Sequence, residues 1–571
     1  MQTTSLCKGL LAGWFILLAN GSLANSLHGA DFDGGSLLYA SLGRHSQQAI
    51  FLRMDANGAQ PAEDVKAPLG SLWKLFVYAY AIDRAIPTAD YICHGGDAAR
   101  EEIYCCDPGR SVSRDAALAK SCGLFFDPAR LHLDAQDWRQ YWNSKSPQTQ
   151  WLAELEQLKP AYQVSVSSLL QALSGIDGVA RERAETALLG VVLYGRGQSA
   201  LRYLGGRYRV KTFTWKHPQR PDSVIGGAAG WTSDGSAVWF GALGSSVKVL
   251  QDYAPQLATF VEGAGLAERQ ARCVDVSLFA RYPIKRISAE PDGVAFAQGV
   301  AQDLRGNFRI EFANGRNLVI QADNEIRLNW DAARPLLSAR LDENEYIARV
   351  VDREGLATEK EAARALSIVA RTYLLQNAAQ HGECLSIADS TRTQRVSPSP
   401  ASAAARDIAA FTSGLILQGV NAQYRLSTTG KNVLAWQSAV AYAKAGMQFD
   451  QILQRSFEHA SLASINGETD CKPLPEAERW LQTQARHWRY ALQSEPGFVA
   501  PQPHVCLLSF GNPYSDMSRQ RIYVRGLNSL NNRITLAHEY LHLAFAAYPS
   551  GQDENYIEQW ARRLIEGKSR S

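Results

Sequence analysis

The stretch Glu343–Leu374, ENEYIARVVDREGLATEKEAARALSIVARTYL, constrains the fold more than any other part of the chain. Tyr346, Ile347, Val350 and Val351 recur at helical spacing, and Ala362, Leu366, Val369 and Tyr373 do so again after a polar break. Two helices around a short elbow are expected, with Glu354 standing in the elbow. A carboxyl half-buried by the apolar faces beside it has its charged form disfavoured, so Glu354 can donate a proton to a leaving oxygen. The competing reading is a solvated loop glutamate.

At 571 residues and 46% hydrophobic the chain is too long for one core, so a multidomain α+β protein is expected. A formal net charge of +3 with no Lys/Arg run argues against a nucleic-acid partner. Lys8 precedes the apolar run LLAGWFILLA, and Ser22-Leu23-Ala24 offers a small-residue cleavage site, so residues 1–24 read as a signal peptide. An uncleaved anchor is the alternative. Export to the periplasm follows, with no integral membrane segment after cleavage, since no later stretch could span a bilayer. Apart from Cys7 eight cysteines remain: Cys93, Cys105, Cys106 and Cys122 early, Cys273 and Cys384 in the middle, Cys471 and Cys506 late. Each region can close its own bridges, with connectivity left open. Adjacent Cys105 and Cys106 lack the spacing of a metal site.

SLLYASL (36–42) and QAIFLRM (48–54) read as a hairpin, followed by a helix expected to open at Ser71 and end at Pro87. Ser71 and Lys74 share one face of that helix. A desolvated lysine beside a serine can take the hydroxyl proton; the bland alternative is an N-cap serine with a snorkelling lysine. Ser121-Cys122-Gly123 and the strand-like YRVKTFTW with Lys211, Thr212, Phe213 and Thr214 come next, then the strand SAVWFGALG (236–244). In order, SLWK, Ser121-Cys122-Gly123 and Lys211-Thr212-Phe213 resemble the SxxK, SxN and KTG motifs of penicillin-binding proteins and serine β-lactamases, over roughly residues 30–250. The resemblance implies catalytic roles for Ser71, Lys74, Ser121 and Lys211 and substrate-binding roles for Thr212 and Thr214. Gly123 and Phe213 depart from the pattern, removing an amide and crowding the path to the Thr214 N–H, which points to a substrate-binding or degenerate domain.

VVDRE followed by EAARALSIVARTYLL resembles the SpoIID/LytB family of cell-wall proteins over residues 270–463. Gln394 in STRTQ, FTSGLIL (411–417), YRLSTTG (424–430) with Ser427, and AYAKAGMQFDQILQRSF (441–457) match in order. The resemblance implies that Glu354 is the acid/base of a lytic transglycosylase acting on peptidoglycan, with Gln394 and Ser427 binding substrate. Asp352 and Gly355 stand where the family has Pro and Met. SPSPASAAA (397–405) reads as a loop within this domain, and SINGETDCKPLP (464–475) as the boundary after it.

Residues 476–571 carry a strand, RIYVRGL, and a helix, RITLAHEYLHLAF, with His538, Glu539 and His542. Two histidines at i and i+4 can share one tetrahedral ion while the glutamate deprotonates a metal-bound water, so one Zn2+ is expected; an amphipathic helix with exposed histidines is the alternative. The flanks resemble HExxH zinc metallopeptidases, and ExxA at Glu558 on a downstream helix resembles the third-ligand helix of gluzincins, with Glu554 the alternate. The whole chain resembles an uncharacterised YfaQ-like family of exported Gram-negative proteins, whose genes tend to neighbour bacterial α2-macroglobulins. Three functions follow: glycan cleavage through Glu354, zinc-dependent cutting of proteins or wall peptides in a defence setting with α2-macroglobulin, or a non-catalytic peptidoglycan-binding scaffold.

Overall fold

A computed structural model describes residues 25–26 and 35–567, apart from 218–219, 264–271, 383, 429, 431, 458–459, 466–472, 508–512, 517–519, 547, 549–550 and 552. The leader with its cleavage position and Cys471 lie outside the described residues. The segment from QDYAPQL, whose pattern reads as a helix leading out to about Gln270, is helical only as far as Thr259 before the described residues break off at 263.

The first lobe is built on a six-stranded antiparallel sheet ordered Gly58–Pro61, Ile50–Asp55, Leu37–Leu42, Ala237–Leu243, Arg220–Thr232, Tyr208–His217. Period-two alternation in Leu37–Leu42 divides the side chains between two cores. Leu37 and Tyr39 face the helix Ser246–Thr259, and Leu38, Ala40 and Leu42 join the helical layer that holds Trp73–Asp83. That helix starts later and stops earlier than expected: Ser71 lies in a single 3-10 turn, Gly70–Leu72, and the last helical residue is Asp83 rather than one next to Pro87. The Ser71 side chain makes no capping bond there, so the N-cap reading falls.

The second lobe has a seven-stranded sheet ordered Ile284–Ala289, Gln302–Phe312, Asn317–Asp331, Arg334–Asp342, Cys273–Leu278, Cys384–Ala388, Ala379–His381. Helices Glu343–Glu354 and Lys360–Asn377 carry its core. Glu354 is therefore the last residue of its helix, one place short of the elbow. A break at Gly446 splits the closing helix into Trp436–Lys444 and Phe449–Ser456. The third lobe packs helices Pro475–Leu492, Leu530–Ala544 and Glu554–Glu566 against a three-stranded sheet. Disulfides join Cys93 to Cys106, Cys105 to Cys122 and Cys273 to Cys384, each within one region, and Cys506 is also bridged. Among the described residues no helix is long and apolar enough to cross a membrane.

Candidate functional site

The first cluster forms where the turn Gly70–Leu72, the end of helix Arg114–Lys120 and the strand Tyr208–His217 meet. Lys74 is buried, with its Nζ 3.5 Å from Ser71 Oγ, 3.2 Å from Ser121 Oγ and 2.7 Å from the Ser121 carbonyl. Burial lowers its pKa to about 8. Ser121 ends its helix in the left-handed region, φ 72°, and that turn brings its carbonyl and hydroxyl to the same ammonium. The Cys105–Cys122 bridge holds the next residue. Lys211 is fully buried, donates to the Thr212 carbonyl at 2.8 Å, and has its pKa driven down by burial first and by the charges of Lys74 and Arg196 second.

Of the two motif departures, Phe213 has a packing reason. Gly123 lies beside Lys74, where an added Cβ would sit 3.7 Å from Nζ in ordinary contact, so nothing in the packing explains glycine there. Phe213 is buried, stacks on Trp239 and lies against Gly70, whose φ of 49° and closeness to the Phe213 Cβ (3.0 Å from an added Cβ) require glycine. Thr214 is turned to the sheet's other face, where its hydroxyl accepts from the Ser246 N–H at 2.9 Å. Strand alternation puts Thr212 on Thr214's side, away from Lys211. Neither threonine hydroxyl is thus among the groups gathered at Lys74. A pocket of about 430 Å3 lined by Trp73, Gly123, Leu124 and Pro160 adjoins the cluster.

The second cluster surrounds Glu354. Burial raises its pKa, against the Arg395 N–H, which donates to Oε1 at 2.8 Å. Gln394 is fully buried: its Oε1 accepts from Tyr346 at 2.7 Å, and its Nε2 donates to the Ala370 carbonyl at 3.1 Å and the Tyr424 hydroxyl at 3.3 Å. It cannot touch substrate as expected, and instead fixes the segment that presents the Arg395 N–H. The sequence reading missed Asp389, whose pKa is also raised by burial and whose Oδ1 accepts from the Val396 N–H at 3.1 Å, one residue along. No motif signalled it. Ser427 is exposed on its turn. Gly355 is explained by contact, since a Cβ would lie 2.7 Å from Leu366, and Asp352 by its capping bonds to Ser402 N and Oγ at 2.6 and 2.8 Å.

In the third lobe, the Nε2 atoms of His538 and His542 approach to 3.0 Å. Their Nδ1 atoms are anchored behind, His538 on Glu558 Oε2 at 3.1 Å and His542 on the Gly551 carbonyl at 2.8 Å. Glu539 is buried beside them. Glu558 thus stands on the Nδ1 side of His538, opposite the convergent nitrogens, and also pairs with Arg562 at 2.7 Å. Glu554 begins the same helix. Among the described residues no group of three or more His, Cys, Asp or Glu is arranged to hold a metal.

The chain is 41% identical over 505 residues to the uncharacterized protein YfaQ of Escherichia coli (strain K12), spanning 88% of this chain and 90% of that one. Residues 97–221 and 432–550 match a family described as "Predicted secreted protein (DUF2300)". Among solved structures, an ancestral class A β-lactamase matches at 15% identity over 40% of this chain and 95% of its own, with a TM-score of 0.26. The C-terminal domain of the Bacillus licheniformis BlaR penicillin-receptor matches at 13% over 42% and 97%, with a TM-score of 0.27.

Proposed function

The chain belongs to the same family as the Escherichia coli protein YfaQ, and from that premise we propose an exported, periplasmic cell-wall enzyme whose best-formed centre is Ser71–Lys74–Ser121. One observation carries this reading: a buried lysine with a pKa of about 8 lies within reach of two serine hydroxyls. In its neutral form Lys74 accepts the Ser71 proton as Oγ attacks the carbonyl carbon of a wall peptide or cyclic amide. Ser121 stands on the other side of the amine and returns a proton to the departing nitrogen, leaving Ser71 acylated. Water or a second amine then releases the acyl group. Incubation with a fluorescent penicillin tests this. A label lost in Ser71→Ala is expected; an unlabelled native protein would sink the reading and restore a degenerate, substrate-binding domain.

A second reaction, on the glycan strands of peptidoglycan, is favoured by the raised pKa of Glu354. Protonated, it donates to the glycosidic oxygen while the sugar's own hydroxyl attacks, giving an anhydro end. Digestion of peptide-free strands followed by mass analysis detects that end, and its absence would remove this activity.

The convergent Nε2 atoms with anchored Nδ1 atoms would offer two ligands to a zinc ion, with no third assembled beside them among the described residues. His538 and His542 would hold it and Glu539 would take a proton from water beside it. Glu558 would orient His538 rather than ligate, which departs from the gluzincin pattern. The ion would supply Lewis acidity for peptide hydrolysis. Metal analysis of the purified chain and of His542→Ala tests this: zinc absent from the first, or retained by the second, rejects it.

A further inference from the structure

A cleft of about 1610 Å3 separates the first lobe from the third. One wall is residues 88–113, an excursion with the two-stranded sheet Tyr91–Ile92 and Ser111–Val112, the 3-10 turn Gly96–Ala98 and the short helix Ala99–Glu102, pinned by the Cys93–Cys106 and Cys105–Cys122 bridges. The other is formed by Pro473, His504, Gln520 and Arg521, and Arg521 joins Asp90 across the gap at 2.8 Å. Such stapling keeps the wall rigid despite its small core, and a rigid wall loses little entropy on binding.

That wall displays apolar surface to solvent. Tyr104 and Tyr194 remain 42% and 48% exposed in the cleft, with Ile92 and Ile103 beside them. The Arg196 guanidinium lies 4.1 Å from the Tyr104 ring centre. Hydroxyl and amide side chains, Ser111, Gln198, Ser199 and Gln251, line the same cleft.

The charges are unequal in reach. Glu102 is buried and held by the His94 and Gly95 N–H groups, each at 2.7 Å, and by Tyr91 at 2.8 Å; the N–H bonds keep its carboxyl below the usual range. Asp90 is bridged to Arg521. Arg110, Lys120 and Arg196 therefore face the opening against Asp107.

We propose that this cleft binds a glycan strand bearing carboxylate groups, its sugar faces laid on Tyr104 and Tyr194 and its acid groups at Arg110, Lys120 and Arg196. The volume exceeds the ~300–1,000 Å3 of small-ligand pockets, which calls for a polymer. Pyranose C–H faces match exposed rings, and ring hydroxyls match the serines and glutamines of the lining. Lys120, on the cleft wall, is the residue before Ser121. The inference rests on the cell-wall reading for its choice of probe.

The test is calorimetric titration of the full chain with peptide-free peptidoglycan strands, which carry lactyl carboxylates, with neutral chito-oligosaccharides of equal length, and with free wall peptides. Acidic strands are expected to bind at least about tenfold more tightly than either other probe, the loss of charge-assisted contacts setting the scale. Tyr104→Ala and Arg196→Ala each weaken binding about tenfold, as does Arg110→Ala, whose exposed side chain can be removed without disturbing the core. Equal binding of neutral and acidic strands, preference for peptides, or affinity unchanged in all three variants would overturn it. Penicillin labelling of the same preparations separates the two proposals: binding without labelling removes the acyl-transfer reading alone, labelling without strand binding removes this one alone.

Discussion

Lys74 shows how one side chain can set a working pH. Its pKa of about 8, against an ordinary 10.5, leaves about a tenth of the amine neutral at pH 7. The rate of Ser71 labelling is therefore expected to climb nearly tenfold from pH 6 to pH 7, and to flatten above about pH 8 to 9. A rate independent of pH across that range would mean that another group takes the proton. Stability moves in the same direction. The folded pKa lies below the unfolded one, so the unfolded chain holds the extra proton between about pH 8 and 10.5, and Lys74 costs least stability at the top of that window. Lys74→Met is expected to abolish labelling and to remove this rise from a plot of unfolding free energy against pH. Around Glu354 two substitutions separate chemistry from scaffolding. Glu354→Gln should cut formation of anhydro ends by about 100-fold or more with the unfolding midpoint nearly unmoved. Gln394→Ala should instead cost about 1–3 kcal/mol in denaturant unfolding, because it strands the buried Tyr346 hydroxyl.

At the level of elements, what could be read was what repeats. Alternating Leu37–Leu42 and the helical spacing of Tyr346, Ile347, Val350 and Val351 describe faces that the structure does bury. The same period of two, applied to Lys211–Thr214, would have parted Lys211 from Thr212 and Thr214, which motif matching kept together. Other features had no local signal. The 3-10 turn at Ser71 is imposed by Gly70 meeting Phe213 over a hundred residues away, and Asp389 reaches Glu354 only because neighbouring N–H groups of one segment hold both carboxyls. Helix Pro475–Leu492, amphipathic and begun by proline, was legible by spacing and was passed over. Cysteine pairing needed the sheet: Val274 pairs with Leu385 in parallel register, which sets Cys273 opposite Cys384. That bridge closes 111 residues of chain, so replacing both cysteines with serine should cost roughly 2–5 kcal/mol by chemical unfolding, with strand Cys384–Ala388 exchanging its amide protons sooner.

Over the whole molecule the two larger lobes meet where Leu189 and Val192 join the second lobe's core and along Arg202–Arg209. Gly205 has φ 52°, and a Cβ there would fall 2.3 Å from the Phe411 carbonyl; the Gly206 N–H donates to that same oxygen at 2.7 Å. Arg207 pairs with Asp407, Arg209 donates to the Ser413 carbonyl at 2.6 Å, and Arg202 meets Asp450 at 3.0 Å. Backbone contact this close leaves no room for sliding, so the serine cluster and Glu354 keep a fixed spacing and the lobes should unfold as one unit. Gly205→Val meets both obstacles at once, a β-branched residue in the left-handed region and a clash with a carbonyl that cannot retreat without moving helix Ala403–Phe411. Calorimetry is expected to show the shared endotherm of the two lobes split into two, the lower one shifted down, while penicillin labelling at 25 °C persists because the Ser71 cluster lies within the first lobe alone. A single unshifted endotherm would mean that the lobes never depended on this contact, and that their spacing is set elsewhere.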